Sequence, residues 1–157
     1  MTIPRGMNPT DADFNLFNSL FYLIAHADFH YHEDLDKVMA KVGVDRTTYR
    51  LFSVMHQIGP ANIKVICRHA LVKRSTGGRA IERMRDNGWV TTSLNKIDQR
   101  EIDVELTAAG KRVTRELKEV TGRQLLRATT GFTAAELKEL AGMLERIGRN
   151  LSRLPIE

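Results

Sequence analysis

The chain has 157 residues, 42% hydrophobic and 27% charged, the balance of a folded globular domain and not of a disordered or membrane-spanning chain. A formal charge of +5 attracts polyanions without naming one. The single cysteine, Cys67, excludes an internal disulfide framework; no apolar run reaches the length of a membrane span and Met1 to Pro9 lacks a basic-then-apolar leader, so a cytoplasmic protein is expected.

Thr10 stands three residues before Asp13, the spacing of a helix-start capping pair, and Phe14, Phe17, Phe21 and Ile24 then recur at helical spacing beside Leu16, Leu20 and Leu23. This pattern predicts a helix with a wide apolar stripe. Leu35, Val38, Met39 and Val42 carry the period on to Gly43, with a bend or short break predicted around His30 to Asp34. Leu51, Val54, Met55 and Ile58 mark the next helix, which Gly59-Pro60 ends because proline has no N–H to donate. From Asn62 to His69 a short segment places Ile63 and Ile66 on one face, and a gap follows at Ala70 to Val72. A second helix then runs from about Lys73 to Asn87, buries Ala80, Ile81 and Met84, and closes at Gly88. Two short helices joined tightly make a helix-turn-helix unit.

Trp89 to Thr92 reads as a strand, and Ile102, Val104 and Leu106 alternate with Glu101, Asp103 and Glu105 in a period of two, the only β structure predicted. Between them the polar, basic stretch Ser93 to Arg100 has the composition of a hairpin tip, so a wing follows the helix-turn-helix. Thr107 caps a long helix carrying Val113, Leu117, Val120 and Gln124, interrupted or ended at Gly131. Thr133 and Glu136 form a second capping box, and Leu137, Leu140, Ala141, Leu144, Ile147, Leu151 and Leu154 draw an apolar seam down the last helix. That seam and the apolar surplus of the first helix are buried most economically between two copies, which predicts a homodimer. The fold class is mostly α with a small β wing: a winged helix-turn-helix over about 45–106, with dimerisation helices at about 10–42 and 108–154, in one domain spanning 1–157.

The start of the second helix of the unit is crowded with cations and hydroxyls: Lys73, Arg74, Ser75, Thr76 and Arg79, with Arg83 and Arg85 further on. A recognition helix enters the major groove of double-stranded DNA with this end. The planar arginine fork can meet guanine O6 and N7 together, which nominates Arg74 and Arg79 as base readers; Lys73, Ser75 and Thr76 suit phosphates or single base edges, with Arg83 also on the basic face. A solvated basic face is the competing explanation. Each glycine inside a helix costs about 1 kcal/mol relative to alanine. Gly77 and Gly78 therefore mark either a close backbone approach to DNA or a neighbouring helix, or a helix that begins only at Gly78. In the wing, Lys96 and Arg100 suit the negative potential of a minor groove, and Asp98 stands where it can orient Arg100.

Asp98-Gln99-Arg100-Glu101-Ile102-Asp103-Val104-Glu105-Leu106-Thr107, followed by Ala108-Ala109-Gly110, resembles the wing signature of the MarR family of regulators, in which Asp-x-Arg precedes a strand ending Leu-Thr-x-x-Gly. The upstream run from Ile81 to Val90 is similar to the same family's recognition-helix end and first wing strand, and the resemblance spans nearly the whole chain. It implies a winged helix dimerised through its terminal helices, with Arg100 as the minor-groove arginine, Asp98 as its support, and release from DNA by a small anionic aromatic compound. The chain departs from the family at Gly77-Gly78, where larger residues are usual, so side-chain base contacts made there are not carried over.

An aromatic acid or its thioester needs a flat apolar slot and a cation, and the first helix and the one from Arg46 to Ile58 offer Tyr22, His26, His30, Arg46, Tyr49, Arg50, Phe52 and His56. Each of these residues has an ordinary structural reading too, as core or solvated surface. His26 and His30 share a helical face at i, i+4 with His32 and Glu33 nearby, but no neighbouring cysteine or tight acidic pair completes a shell. They are read as structural: no metal site and no cofactor are assigned, and a metal-responsive regulator of the same fold is the alternative. Cys67, on an apolar helix without a resolving partner, reads as buried filler. No nucleophile elbow, phosphate loop or metal-hydrolase pair appears, so no enzymatic activity is expected. A helical protein-interaction adaptor is the remaining rival.

Overall fold

Between Leu20 and Ala40 the sequence has neither glycine nor proline, and the backbone runs there as one unbroken 21-residue helix, α1 (Leu20–Ala40). The break expected around His30 to Asp34 does not occur. Side chains one turn apart brace that stretch instead, His32 with Asp28 at 3.4 Å and His30 with Glu33 at 3.5 Å. The helix also starts later than the Thr10 to Asp13 spacing suggests: Asp13 pairs with Arg5, and a single 3-10 turn at Leu16–Asn18 leads into Ser19 and α1. The computed structural model describes residues 3–95 and 97–153.

The next helix, α2 (Arg46–Ile58), begins where Asp45 accepts a hydrogen bond from the Thr48 amide at 2.7 Å, and ends at Gly59-Pro60. Then come β1 (Ala61–Asn62), α3 (Ile63–His69) and α4 (Arg74–Asp86), followed by the hairpin of β2 (Val90–Leu94) and β3 (Ile102–Leu106). β1 was not foreseen, because two residues are too short to show alternation. It pairs antiparallel with β3, Ala61 opposite Val104 and Asn62 opposite Asp103, so the sheet order is β1-β3-β2. Two long helices close the chain, α5 (Ala108–Ala128) and α6 (Ala134–Arg153). The expected capping box at α6 is formed: Glu136 accepts from the Thr133 amide at 2.7 Å while its own amide donates to Thr133 Oγ1 at 3.3 Å.

One core draws on every element of the winged-helix region. Leu35 and Met39 of α1, Leu51 and Phe52 of α2, Ile66 of α3, Ile81 and Met84 of α4 and Val104 of β3 are its largest fully buried side chains. Contacts divide the chain into two compact units, Met1–Thr121 and Gly122–Glu157, the division falling inside α5. In the first unit, Phe17, Phe21 and Phe29 are 65%, 55% and 60% exposed, so the stripe of the N-terminal helix is largely uncovered by its own chain. In the second, Leu140, Met143, Leu144 and Leu151 along α6 are exposed as well. Leu154, the last position of the predicted seam, lies outside the described residues.

Two adjacent glycines in α4 differ in what surrounds them. Both Gly77 and Gly78 lie inside α4, which settles the choice left open by the sequence. Gly77 is buried against α3, and a Cβ built there would collide with Cys67 Sγ; at Gly78 nothing lies within 4 Å. The close approach at Gly77 is therefore helix on helix. We expect Gly77→Ala to cost about 1–3 kcal/mol by overpacking, and Gly78→Ala to be neutral or stabilising by up to about 1 kcal/mol, in urea unfolding followed by circular dichroism. Introducing Cys67→Ala should relieve most of the Gly77→Ala loss. Equal effects at the two glycines would contradict this packing.

Candidate nucleic-acid interface

α4 is sharply two-sided. Gly77, Ala80, Ile81 and Met84 are buried, while Lys73, Arg74, Ser75, Thr76, Arg79 and Arg83 are exposed. Its first turn carries no acid, and Lys73 at the N-cap position makes no side-chain capping bond, so the helix opens onto solvent with free amides and cations together. Among the described residues, no ion pair to Lys73, Arg74 or Arg79 is seen. Arg83 differs: its Nη2 donates to Asp45 Oδ2 at 2.7 Å, tying α4 to the start of α2. Arg83 is thus held by a carboxylate and serves first to position the helix. Gly78, half-exposed beside Arg79, leaves space on the outer side of the same turn.

Asp45 therefore does two jobs. Partial burial raises its carboxyl, but hydrogen bonds from Thr48 and the Arg83 charge outweigh this and hold it below the ordinary carboxylate range.

The wing is built on Asn95. Its Oδ1 accepts from the amides of Ile97 at 2.8 Å and Asp98 at 3.0 Å, and its Nδ2 donates to Asp103 at 3.0 Å. Asp98 then fixes Arg100: one carboxylate oxygen accepts from the Arg100 amide and from Nε, each at 3.0 Å, and the other accepts from Nη2 at 3.2 Å. These bonds lower the Asp98 carboxyl and raise the Arg100 guanidinium. Arg100 remains 90% exposed, so its orientation is set while its outer face stays available. Lys96 lies outside the described residues.

The base of the wing is anchored to both helices of the reading unit. Asn62 caps α3 by accepting from the Lys64 amide at 2.7 Å, and donates to Glu101 of the wing at 2.6 Å. Thr107 Oγ1 donates to the Gly88 carbonyl at 2.7 Å, just past the end of α4, and accepts from the Gly110 amide at 3.1 Å at the start of α5. A Cβ at Gly110 would strike the Trp89 carbonyl oxygen. The Leu-Thr-x-x-Gly pattern thus has a physical cause: it lets α5 lie directly against the exit of α4.

The chain is 28% identical to the HTH-type transcriptional repressor IacR of Pseudomonas putida over 147 residues, covering 94% of this chain and 88% of the repressor. A MarR-family transcriptional regulator from Silicibacter pomeroyi superposes with a TM-score of 0.83 at 24% identity, covering 92% of this chain and 98% of that one. BpsR of Bordetella bronchiseptica, described with a mechanism for regulation of its DNA binding by 6-hydroxynicotinic acid, superposes with a TM-score of 0.76 at 14% identity, over 85% of this chain and 96% of BpsR. No family model matches the chain.

The chain has the MarR-family winged-helix fold. The effector residues named from the sequence do not converge on one slot. Tyr22, His26 and His30 form an aromatic ladder on α1, Tyr22 stacked on His26 at 5.7 Å and His26 edge-on to His30 at 4.5 Å. Arg46 is engaged by Asp36 at 2.6 Å, and Tyr49 and Arg50 border Tyr31 and His32 respectively. Phe52 is a core residue, fully buried beside Trp89 with ring centroids 5.5 Å apart. His56 lines a cavity of about 330 Å³ with Met55, Pro60, Leu106, Glu105, Lys111 and Arg115, and Arg46 lines a separate one of about 400 Å³ with Asp36, Val44 and Asp45. Lys118 Nζ lies 3.1 Å from His56 Nε2. Lys111, Arg115 and Lys118 were missed because they lie on α5, whose helical period was read for its apolar seam alone. Asn95 and Asn62 were missed as structural pivots because a lone asparagine carries no spacing signal. Cys67 is buried as expected, and burial pushes its thiol pKa up.

Replacing Asp45 by alanine should cost about 1 kcal/mol at neutral pH through the lost cap. Because the folded-state pKa lies below the unfolded one, that stabilisation is present above about pH 4 and fades as pH falls through the lower, folded value. Thermal unfolding of both proteins across pH checks it; an undiminished gap at pH 2 would contradict the assignment.

Proposed function

We propose that this chain is a homodimeric transcriptional repressor that binds a pseudo-palindromic DNA operator and is released by a small aromatic acid or its thioester. The observation that carries the DNA reading is the conjunction on one unit: a recognition helix whose apolar face is wholly buried and whose outer face is basic, beside a wing arginine pre-oriented by Asp98. Arg74 and Arg79 read bases, Lys73, Ser75 and Thr76 hold phosphates or base edges, Lys96 adds charge to the wing, and Arg100 enters the minor groove. The repressor named IacR, similar along nearly the full length, supports this reading. Dimerisation is supported by the exposed apolar stripes of α1 and α6, which a single chain leaves in water. The exposed faces of α1 and α6 are the surfaces a partner would cover.

The effector reading is supported by the regulation of BpsR by an aromatic acid and by the cavity beside His56. Met55, Pro60 and Leu106 in its lining suit a ring, and Lys111 and Arg115, two cations against the single acid Glu105, suit a carboxylate. No helix among the described residues is long and apolar enough to cross a membrane.

Selection of bound duplexes from a randomised pool tests the operator reading. Half-sites about 10 bp apart, centre to centre, are expected. Arg79→Ala should cost about 1–3 kcal/mol and relax one base position, and Arg100→Ala should weaken binding on AT-rich flanks. An unchanged footprint in both variants would overturn the contact assignment. For the effector, operator release is measured with benzoate, cinnamate and their thioesters; a response lost in Lys111→Ala and Arg115→Ala supports the cavity, and no response from wild type refutes the ligand class.

A further inference from the structure

His26 and His30 lie one turn apart on α1, and their rings are turned so that the two Nε2 atoms stand 3.3 Å apart. Two nitrogens on one tetrahedral zinc, each at roughly 2.0–2.1 Å, are separated by about the same distance. Both rings are held from behind. His26 stacks on Tyr22, and His30 meets the edge of Phe29 at 5.3 Å while its Nδ1 lies 3.5 Å from Glu33 Oε2. A carboxylate close to Nδ1 favours the tautomer protonated there, which leaves the Nε2 lone pair for a metal, as hydrogen-bonded acids do for metal-ligating histidines. Leu35 and Met39, both buried, come nine residues after His26 and His30, about two and a half turns, so the pair projects on the side of α1 opposite the core.

We propose that His26 and His30 form a two-histidine chelate for a late first-row divalent ion such as zinc, with Glu33 as the positioning residue for His30. Among the described residues no third histidine, cysteine or carboxylate completes the shell, so water fills the remaining positions. Nitrogen donors without a carboxylate oxygen in the shell select zinc, copper or nickel over magnesium and calcium. This site is separate from the DNA-reading face and from the cavity beside His56, and it adjoins Phe29 of the α1 stripe assigned to the dimer, so it is tested in the protein's solution assembly.

The test is zinc titration of the full chain after chelator stripping, read by equilibrium dialysis. One zinc per chain is expected, with affinity lowered at least about tenfold in both His26→Ala and His30→Ala and unchanged in His69→Ala, and with no uptake of magnesium. Both substituted side chains are exposed in the single chain, and circular dichroism and sedimentation verify that the variants keep the fold and assembly of the wild type. The chelate is overturned if wild type binds no zinc, or if either alanine variant binds it as tightly as wild type; a direct His26–His30 hydrogen bond then accounts for the 3.3 Å separation.

Discussion

The absence of a side chain at Gly77 governs how the helix-turn-helix packs, because α4 lies so close to α3 that a Cβ would occupy the volume of Cys67 Sγ. That seat decides which way the rest of α4 faces. With Gly77, Ala80, Ile81 and Met84 turned into the core, helical periodicity leaves Arg74 and Arg79 no direction but outward. A glycine is intrinsically unfavourable in a helix, and here the tight interhelical packing offsets its cost. Gly110 repeats the device at the far end of α4, where α5 presses on the Trp89 carbonyl and Thr107 bridges Gly88 to Gly110. α4 is thereby held at one end by the short Cys67 side chain packed on Gly77 and at the other by the Trp89 backbone packed on Gly110, contacts that tolerate less adjustment than those between long side chains.

Electrostatics then finish what packing begins. The Asp98–Arg100 pair is solvent-exposed, and such pairs contribute little to stability. Its consequence is orientation: two side-chain hydrogen bonds to one carboxylate restrict a guanidinium that would otherwise sample many rotamers, so less entropy is lost when it meets a ligand. Asp45 acts similarly on α4, capping α2 while gripping Arg83. Some of the cations on the basic face thus set geometry, and others remain for a partner.

Much of this was legible in the sequence because it depends on local period and local chemistry. The ends of α2 at Gly59-Pro60 and of α4 before Gly88, the wing strand from Ile102 to Leu106 and the capping box at Thr133 follow from residues that are neighbours in the chain. What was not legible depends on tertiary distance. The role of Gly77 required knowing that Cys67 lies beneath it, and β1 exists only because β3 offers it a partner. The cluster of polar and charged residues from His30 to Asp34 read as a break, yet α1 continues, with His32 turned into the core and reaching Asp28 one turn back, and His30 beside Glu33. Likewise, aromatic and basic residue types on α1 and α2 suggested a single slot, whereas Phe52 turned inward and Arg46 was taken by Asp36.

The central claim is that α4 and the wing present positive charge together to a duplex, so the most direct measurement is the equilibrium constant for an operator-length DNA as a function of salt. Phosphate contacts release counterions, and affinity should fall steeply and log-linearly, by at least about a hundredfold between roughly 50 and 200 mM salt. Binding that is weak and flat across that range would contradict the account.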